Sequence, residues 1–179
     1  MKLDRFLADL GSHKNGFGGG AAAALTGATG MALVEMAARL NDKRLKSSSG
    51  IAKKAEKIRR SFQKLISEDV KAFSRIQKAY KFREAKPSDW QKALKNGVKP
   101  PFKTAQLAYE GWLLINKERS RTSKWLMSDL MEAFLLLDVT YGAALLNVDA
   151  NLKGIQDPVF NAAIENKLKK SAVHRELWK

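Results

Sequence analysis

Every residue from Phe17 to Val34 is uncharged, and most are glycine or alanine. A run so long and so small admits three readings: a nucleotide-binding glycine loop, a membrane span, or a helix that its neighbours approach very closely. Gly16-Phe17-Gly18-Gly19-Gly20-Ala21 formally fits the glycine pattern that seats a pyrophosphate on backbone N–H groups. That pattern requires a buried strand before it, whereas Leu3, Phe6, Leu7 and Leu10 recur at helical spacing. A span is disfavoured because small side chains contribute little transfer energy and no aromatic belt flanks the run. Asp4, Arg5 and Asp9 interrupt the place of a signal-peptide apolar core. The reading that remains is a close-packed helix: Ala23, Gly27 and Gly30 keep one face small enough for another helix, or a flat ligand, to come near.

The rest of the chain is also helical in period, with no run of alternating apolar and polar residues. The fold expected is all-α, a single-domain antiparallel bundle of long helices over the 179 residues. Helices are predicted at 2–11, 19–41, 49–82, 88–96, 101–118, 128–152 and 158–176. Ser47-Ser48-Ser49-Gly50, Ala85-Lys86-Pro87-Ser88 and Gly97-Val98-Lys99-Pro100-Pro101 read as breaks, and the polar stretch from Phe82 to Lys99 reads as a mobile excursion.

Composition narrows the chemistry. The chain has no cysteine, which excludes thiol chemistry and suits a reducing cytoplasm, and its two histidines, His13 and His174, are too few for a histidine-based metal site. No metal is expected. The net charge of +15 calls for an anionic partner or a well-solvated surface. Nine basic residues crowd Lys43 to Lys64 against Glu56 alone, so nucleic acid is a candidate partner, although Phe62 is the only aromatic there for base stacking.

Two irregularities point to a site. On the third predicted helix, alternate steps of four and three from Ile51 reach Ala55, Ile58, Phe62, Leu65, Asp69, Ala72, Ile76 and Ala79, so one carboxylate interrupts an apolar seam. Burial would raise its pKa and make Asp69 a candidate general acid/base; a structural aspartate paired with a cation or a helix terminus is the alternative. The helix from Ser128 is apolar almost all round, yet Asp129, Thr140, Asn147 and Asn151 share a face with Ala133, Leu136 and Ala144. Buried amides need partners. A heterocycle rich in donors and acceptors, or helix ends elsewhere in the core, would supply them.

Together, Gly18-Gly19-Gly20 opening an Ala/Gly-rich helix, Glu68-Asp69-Val70-Lys71-Ala72-Phe73, Ser128-Asp129-Leu130, and Asn147-Val148-Asp149-Ala150-Asn151-Leu152-Lys153 followed by Asp157 resemble the cyclodeaminase/cyclohydrolase family of folate enzymes. The motifs stand in order over nearly the whole chain. The resemblance implies an all-helical homodimer, no membrane association, no metal, and no cofactor beyond a tetrahydrofolate derivative as substrate. It implies either closure of 5-formimino-tetrahydrofolate to the 5,10-methenyl form with loss of ammonia, or hydrolysis of the methenyl form to 10-formyl-tetrahydrofolate. Both reactions pass through a tetrahedral carbon between N5 and N10 and need a proton-transfer group. The absence of a fused formiminotransferase domain from this chain favours the hydrolysis.

Carried onto this chain, the resemblance makes Asp69 and Asp129 the acidic groups and puts Gly18, Gly19 and Gly20 at the pocket wall. It places Asn147 and Asn151 on the polar face, and Lys43 and Arg44 where the glutamate carboxylates of a folate, including a polyglutamylated one, would be attracted. Relatives usually have proline before the glycines and serine after them, where this chain has Phe17 and Ala21. They tend to carry Gly-Asn and then a basic residue ahead of Ser128-Asp129, where this chain has Thr122-Ser123 and Met127. These departures bear on activity more than on fold. The rival expectation is a diverged, inactive relative that binds folate, nucleic acid or another polyanion.

Overall fold

The computed structural model describes residues 2–12 and 16–172. Six α-helices follow one another: α1 (Leu3–Leu10), α2 (Gly19–Arg44), α3 (Ile51–Tyr80), α4 (Pro87–Arg119), α5 (Met127–Leu152) and α6 (Pro158–Ala172), with a 3-10 turn at Lys124–Leu126 before α5. Short connections make α2 to α5 run up and down, and α2 packs against both α3 and α5 to close the bundle. His13 and His174 lie outside the described residues.

The small face of α2 explains how closely the helices meet. A Cβ on Gly27 would stand 2.6 Å from Cε1 of Phe62 on α3, and one on Gly30 would stand 3.2 Å from the Ala133 carbonyl oxygen on α5. Large side chains therefore come from the facing helices: Phe62, Tyr141, Ile115, Leu130 and Leu137 are fully buried around Met31 and Val34. Gly50 occupies the left-handed region at φ 70° and turns the chain into α3. By length and composition alone α2 and α5 could each cross a membrane; in the bundle α2 lies at the centre of the core.

The fourth and fifth predicted helices, 88–96 and 101–118, are one helix. Gly97 to Pro101 does not break the chain, because α4 runs unbroken from Pro87 through both prolines to Arg119. Nor does the stretch from Phe82 to Lys99 leave the bundle. Leu94 and Val98 are buried with Val148, Leu152 and Ile155 in a second apolar cluster, which holds the first third of α4 on the helix axis. Gln91 adds bonds to the Gly154 carbonyl (3.0 Å) and from the Gln156 N–H (2.8 Å), and Lys95 pairs with Asp157 at 2.6 Å. Burial on one side of a polar segment thus outweighs the local cost of two prolines.

At the other end of the bundle a polar network ties the C-termini of α2 and α4. Asn41 donates to Glu118 (2.8 Å) and to Thr122 (3.1 Å), and Arg121 bridges Glu118 and Asp42. The Arg121 guanidinium holds the Asp42 carboxyl below its ordinary value, helped by the Ser49 N–H.

Candidate active site

A pocket of about 250 Å³ opens where the N-terminus of α2, the second half of α3, the first half of α4 and the end of α5 converge. Gly18, Gly19, Gly20, Asp69, Asn147 and Asn151 all line it. Residues far apart in sequence meet here because the up-and-down topology returns the end of α5 to the start of α2.

Asp69 sits against the first turn of α2. A Cβ on Gly20 would collide with its carboxylate, so only glycine lets the two helices meet at this level. Burial pushes the Asp69 carboxyl above its ordinary value, opposed in part by the hydrogen bond it accepts from the Ala21 N–H. The helix-terminus partner of the structural alternative is therefore present, but the carboxylate also lines the pocket. Gly19 and Gly20 are the first residues of the helix, so their N–H groups have no acceptor within it and face the same region with the positive end of the helix dipole.

The opposite wall is rich in acceptors, with one Nδ2–H of Asn147 left as a donor beside Gly19. Asn147 spends its other Nδ2–H on the Ala143 carbonyl (2.8 Å), and Asn151 spends its Nδ2 on the carbonyls of Asn147 (2.9 Å) and Gly97 (3.3 Å). Their Oδ1 atoms stand against Gly19 and Gly97: a Cβ built at those glycines would lie 3.7 and 3.4 Å away. The pocket thus combines one carboxyl shifted toward its acid form, two helix-end N–H groups and several carbonyl-type acceptors. That set suits a flat, donor-bearing ring and a proton transfer beside it. Among the described residues, no three histidine, cysteine, aspartate or glutamate side chains cluster as a metal site would require.

Three of the expected site residues are elsewhere. Asp129 opens α5, eighteen residues before Asn147 and so about 27 Å from it along the helix. Lys43 and Arg44 end α2, roughly 36 Å from Gly19, and the Arg44 guanidinium donates to the Arg121 carbonyl at 2.6 Å. One protomer does not bring these residues to the pocket. Thr140, on the same face of α5, bonds the Leu136 carbonyl and reaches that of Ala23, tying α5 to α2.

Sequence reasoning missed other lining residues. Phe73, one helical turn beyond Asp69 and 45% exposed, offers an aromatic face at the pocket, and spacing alone could have flagged it. Phe17 lines the pocket too and meets Phe6 edge-on at 5.4 Å, anchoring α1; this accounts for the residue that stands where relatives carry proline. Gly97 was read as a loop residue and is instead part of the wall.

A larger surface hollow, about 620 Å³, lies between α3 and α4 among Lys54, Lys57, Lys103, Leu107 and Lys117. Its carboxyl, Glu110, is half exposed and lies 3.8 Å from the Lys103 ammonium, an environment less suited to acid–base chemistry. A third hollow, lined by Glu68, Lys71, Arg75, Lys99 and Lys103, shares Ala72 with the pocket and Lys103 with the larger hollow.

Comparison with known proteins bears on family and fold. The family model described as formiminotransferase-cyclodeaminase matches residues 2–170. A methenyltetrahydrofolate cyclohydrolase of Methylorubrum extorquens is 30% identical over 171 aligned residues, covering 88% of this chain and 82% of that protein. The crystal structure of a formiminotetrahydrofolate cyclodeaminase from Thermotoga maritima superposes with a TM-score of 0.89 at 26% identity, over 98% of this chain and 90% of that one. Motifs, helical architecture and whole-chain match agree: the chain belongs to the formiminotransferase-cyclodeaminase family.

Proposed function

We propose that the protein is a folate one-carbon enzyme, a methenyltetrahydrofolate cyclohydrolase, with Asp69 as its proton-transfer residue. The observation that carries this reading is the Asp69 carboxyl, held between the α2 terminus and the acceptor wall with its pKa raised. The cyclohydrolase relative supports the hydrolytic reading, and the cyclodeaminase structure supports deamination as its alternative. Water adds to the carbon bridging N5 and N10, and Asp69 takes the proton it loses. The tetrahedral intermediate then collapses with cleavage of the carbon–N5 bond, and Asp69 returns the proton to N5. The oxygen added becomes the formyl oxygen of the 10-formyl product, and the positive charge of the methenyl substrate leaves as a proton. The Gly19 and Gly20 N–H groups stabilise negative charge beside the reacting carbon. In the deaminating alternative the same carboxyl protonates departing ammonia.

The test follows methenyltetrahydrofolate absorbance with purified protein, measuring its loss and its formation from the formimino compound separately. Catalysed loss without formation identifies the hydrolase. Neither change above the uncatalysed rate sinks the enzymatic reading in favour of a diverged polyanion binder.

The tail of the substrate finds its cations nearer than Lys43 and Arg44. Lys71, Arg75, Lys99 and Lys103 border the hollow that shares Ala72 with the pocket, and a folate whose ring occupied the pocket would lay its glutamate carboxylates there.

A homodimer completes the proposal. An uncovered apolar face belongs to α5, where Leu135, Val139 and Leu146 are 59, 63 and 74% exposed at helical spacing, whereas Trp112 on α4 is buried. A second copy covers that face most economically about a two-fold axis. With the axis near Val139, Asp129 of the second copy comes level with Asp149, because the two are equidistant from Val139. The same operation brings the far end of α2 toward the glycines. An antiparallel dimer would thus return Asp129, Lys43 and Arg44 to the neighbourhood of the pocket.

A further inference from the structure

We propose that the backbone carbonyl of Gly97 is a substrate-reading acceptor, released for that purpose by Pro101, and that it receives the 2-amino group of the pterin ring. This rests on the folate reading above. In an uninterrupted helix the carbonyl of residue 97 accepts from the N–H of residue 101, and that of residue 96 from residue 100. Both donors are missing here because Pro100 and Pro101 lie inside α4. The defect is not at the surface, where water would satisfy the freed groups: Gly97, Pro100 and Pro101 are all buried.

Of the two freed carbonyls, that of Gly97 belongs to the pocket. Asn151, itself a pocket residue, donates to it at 3.3 Å, so the oxygen is directed into the space they share, with a second lone pair left for another donor. Gly97 also keeps the wall at backbone level, since a Cβ there would collide with Cδ1 of Ile76. Beside Gly97 the neighbouring polar atom, Oδ1 of Asn151, only accepts, and both N–H groups of its amide are used; the remaining Nδ2–H of Asn147 stands by Gly19. A wall of acceptors selects a ring edge that presents adjacent donors, as the 2-amino group and N3–H of a 4-oxopteridine do. A helix defect that would otherwise be only a cost thereby becomes a specificity element, placing the pterin so that its bridging carbon lies within reach of Asp69.

Replacing Pro101 by alanine restores the N–H that closes the helix onto Gly97 and competes for its carbonyl. The variant P101A should unfold cooperatively like the wild type, raise KM for methenyltetrahydrofolate roughly tenfold with a smaller change in kcat, and weaken tetrahydrofolate binding by a similar factor. An analogue lacking the 2-amino group should bind P101A and wild type alike. Because two ligands are compared on one variant, a general loosening of the pocket, which weakens both, is told apart from loss of one acceptor. P100A, which returns a donor to Asn96 in the hollow assigned to the glutamate tail, should not discriminate between the two ligands: any weakening it causes is shared by the analogue. A wild-type KM in P101A, the same ligand discrimination in P100A, or equal weakening of both ligands by P101A overturns the inference while leaving the folate reading intact. A wild-type protein that neither binds nor converts tetrahydrofolate derivatives overturns both.

Discussion

Asp69 joins two roles that are usually separable, because its carboxylate meets the first turn of α2 and also faces the pocket. Its pKa is raised by burial, so between the ordinary value of 3.8 and the folded value the native state binds more protons than the unfolded chain. Stability associated with this group therefore falls as pH rises through that interval. Asp69→Asn removes the cost and keeps an oxygen for the Ala21 N–H. The variant should melt at or above the wild-type temperature at neutral pH, with the difference vanishing in acid below the ordinary value. Its turnover should fall about 100-fold or more if Asp69 moves the proton. Calorimetry and rate measured on one preparation decide the matter, since a less stable variant with full turnover per folded molecule would make Asp69 a structural group. At the same scale, Ala21 in place of the family's serine removes no atom used here, for it is the backbone N–H of this residue that reaches Asp69.

Among the elements, the α3 seam was legible because its period is written in side chains: Ile51, Ala55, Ile58, Phe62, Leu65 and Ala72 are buried as the stepping predicts, with Asp69 breaking the row. The continuity of α4 was not legible. Proline chemistry is local, whereas the contacts of Leu94 and Val98 with the end of α5 that carry the helix through it are long-range. Small residues on α2 were readable as a close-approach face, but which residue each glycine met was not. Gly27 is the sharpest case. Gly27→Ala pushes a methyl into the Phe62 ring and should destabilise the protein by about 1–3 kcal/mol, the usual range for overpacking, with activity per folded molecule nearly preserved. Denaturant titration checks this, and an unchanged midpoint would show that Phe62 shifts freely. The last turn of α2 supplies a pH counterpart. Asp42 is held below its ordinary value by Arg121, so its contribution is present at neutral pH and is lost as pH falls through that depressed value. Asp42→Asn should lower the melting temperature at pH 7 and converge with wild type in strong acid.

For the whole molecule, the decisive fact is that the family motifs divide between the two ends of one bundle. Gly18, Gly19, Gly20, Asp69, Asn147 and Asn151 share a pocket, whereas Lys43, Arg44 and Asp129 stand at the opposite end. For Asp129 and Asn147 the division is legible in sequence, since eighteen residues of one predicted helix put them about 27 Å apart on a single face. The apolar face of α5 between them suggests the resolution. If a second copy binds there antiparallel, each pocket takes its helix-end N–H groups and Asp69 from one chain and Asp129 from the other. Asp69→Asn and Asp129→Ala homodimers should then both be poorly active, and each should retain the ability to dimerise. Mixed after mild dissociation, they should form heterodimers in which one pocket carries both lesions and the other neither, restoring up to about half the wild-type activity per heterodimer. Were Asp129 to act within its own chain or only in folding, each pocket of the heterodimer would carry one lesion and no activity would return. Co-expression with two affinity tags isolates the heterodimer, and its specific activity chooses between a shared pocket and two independent ones.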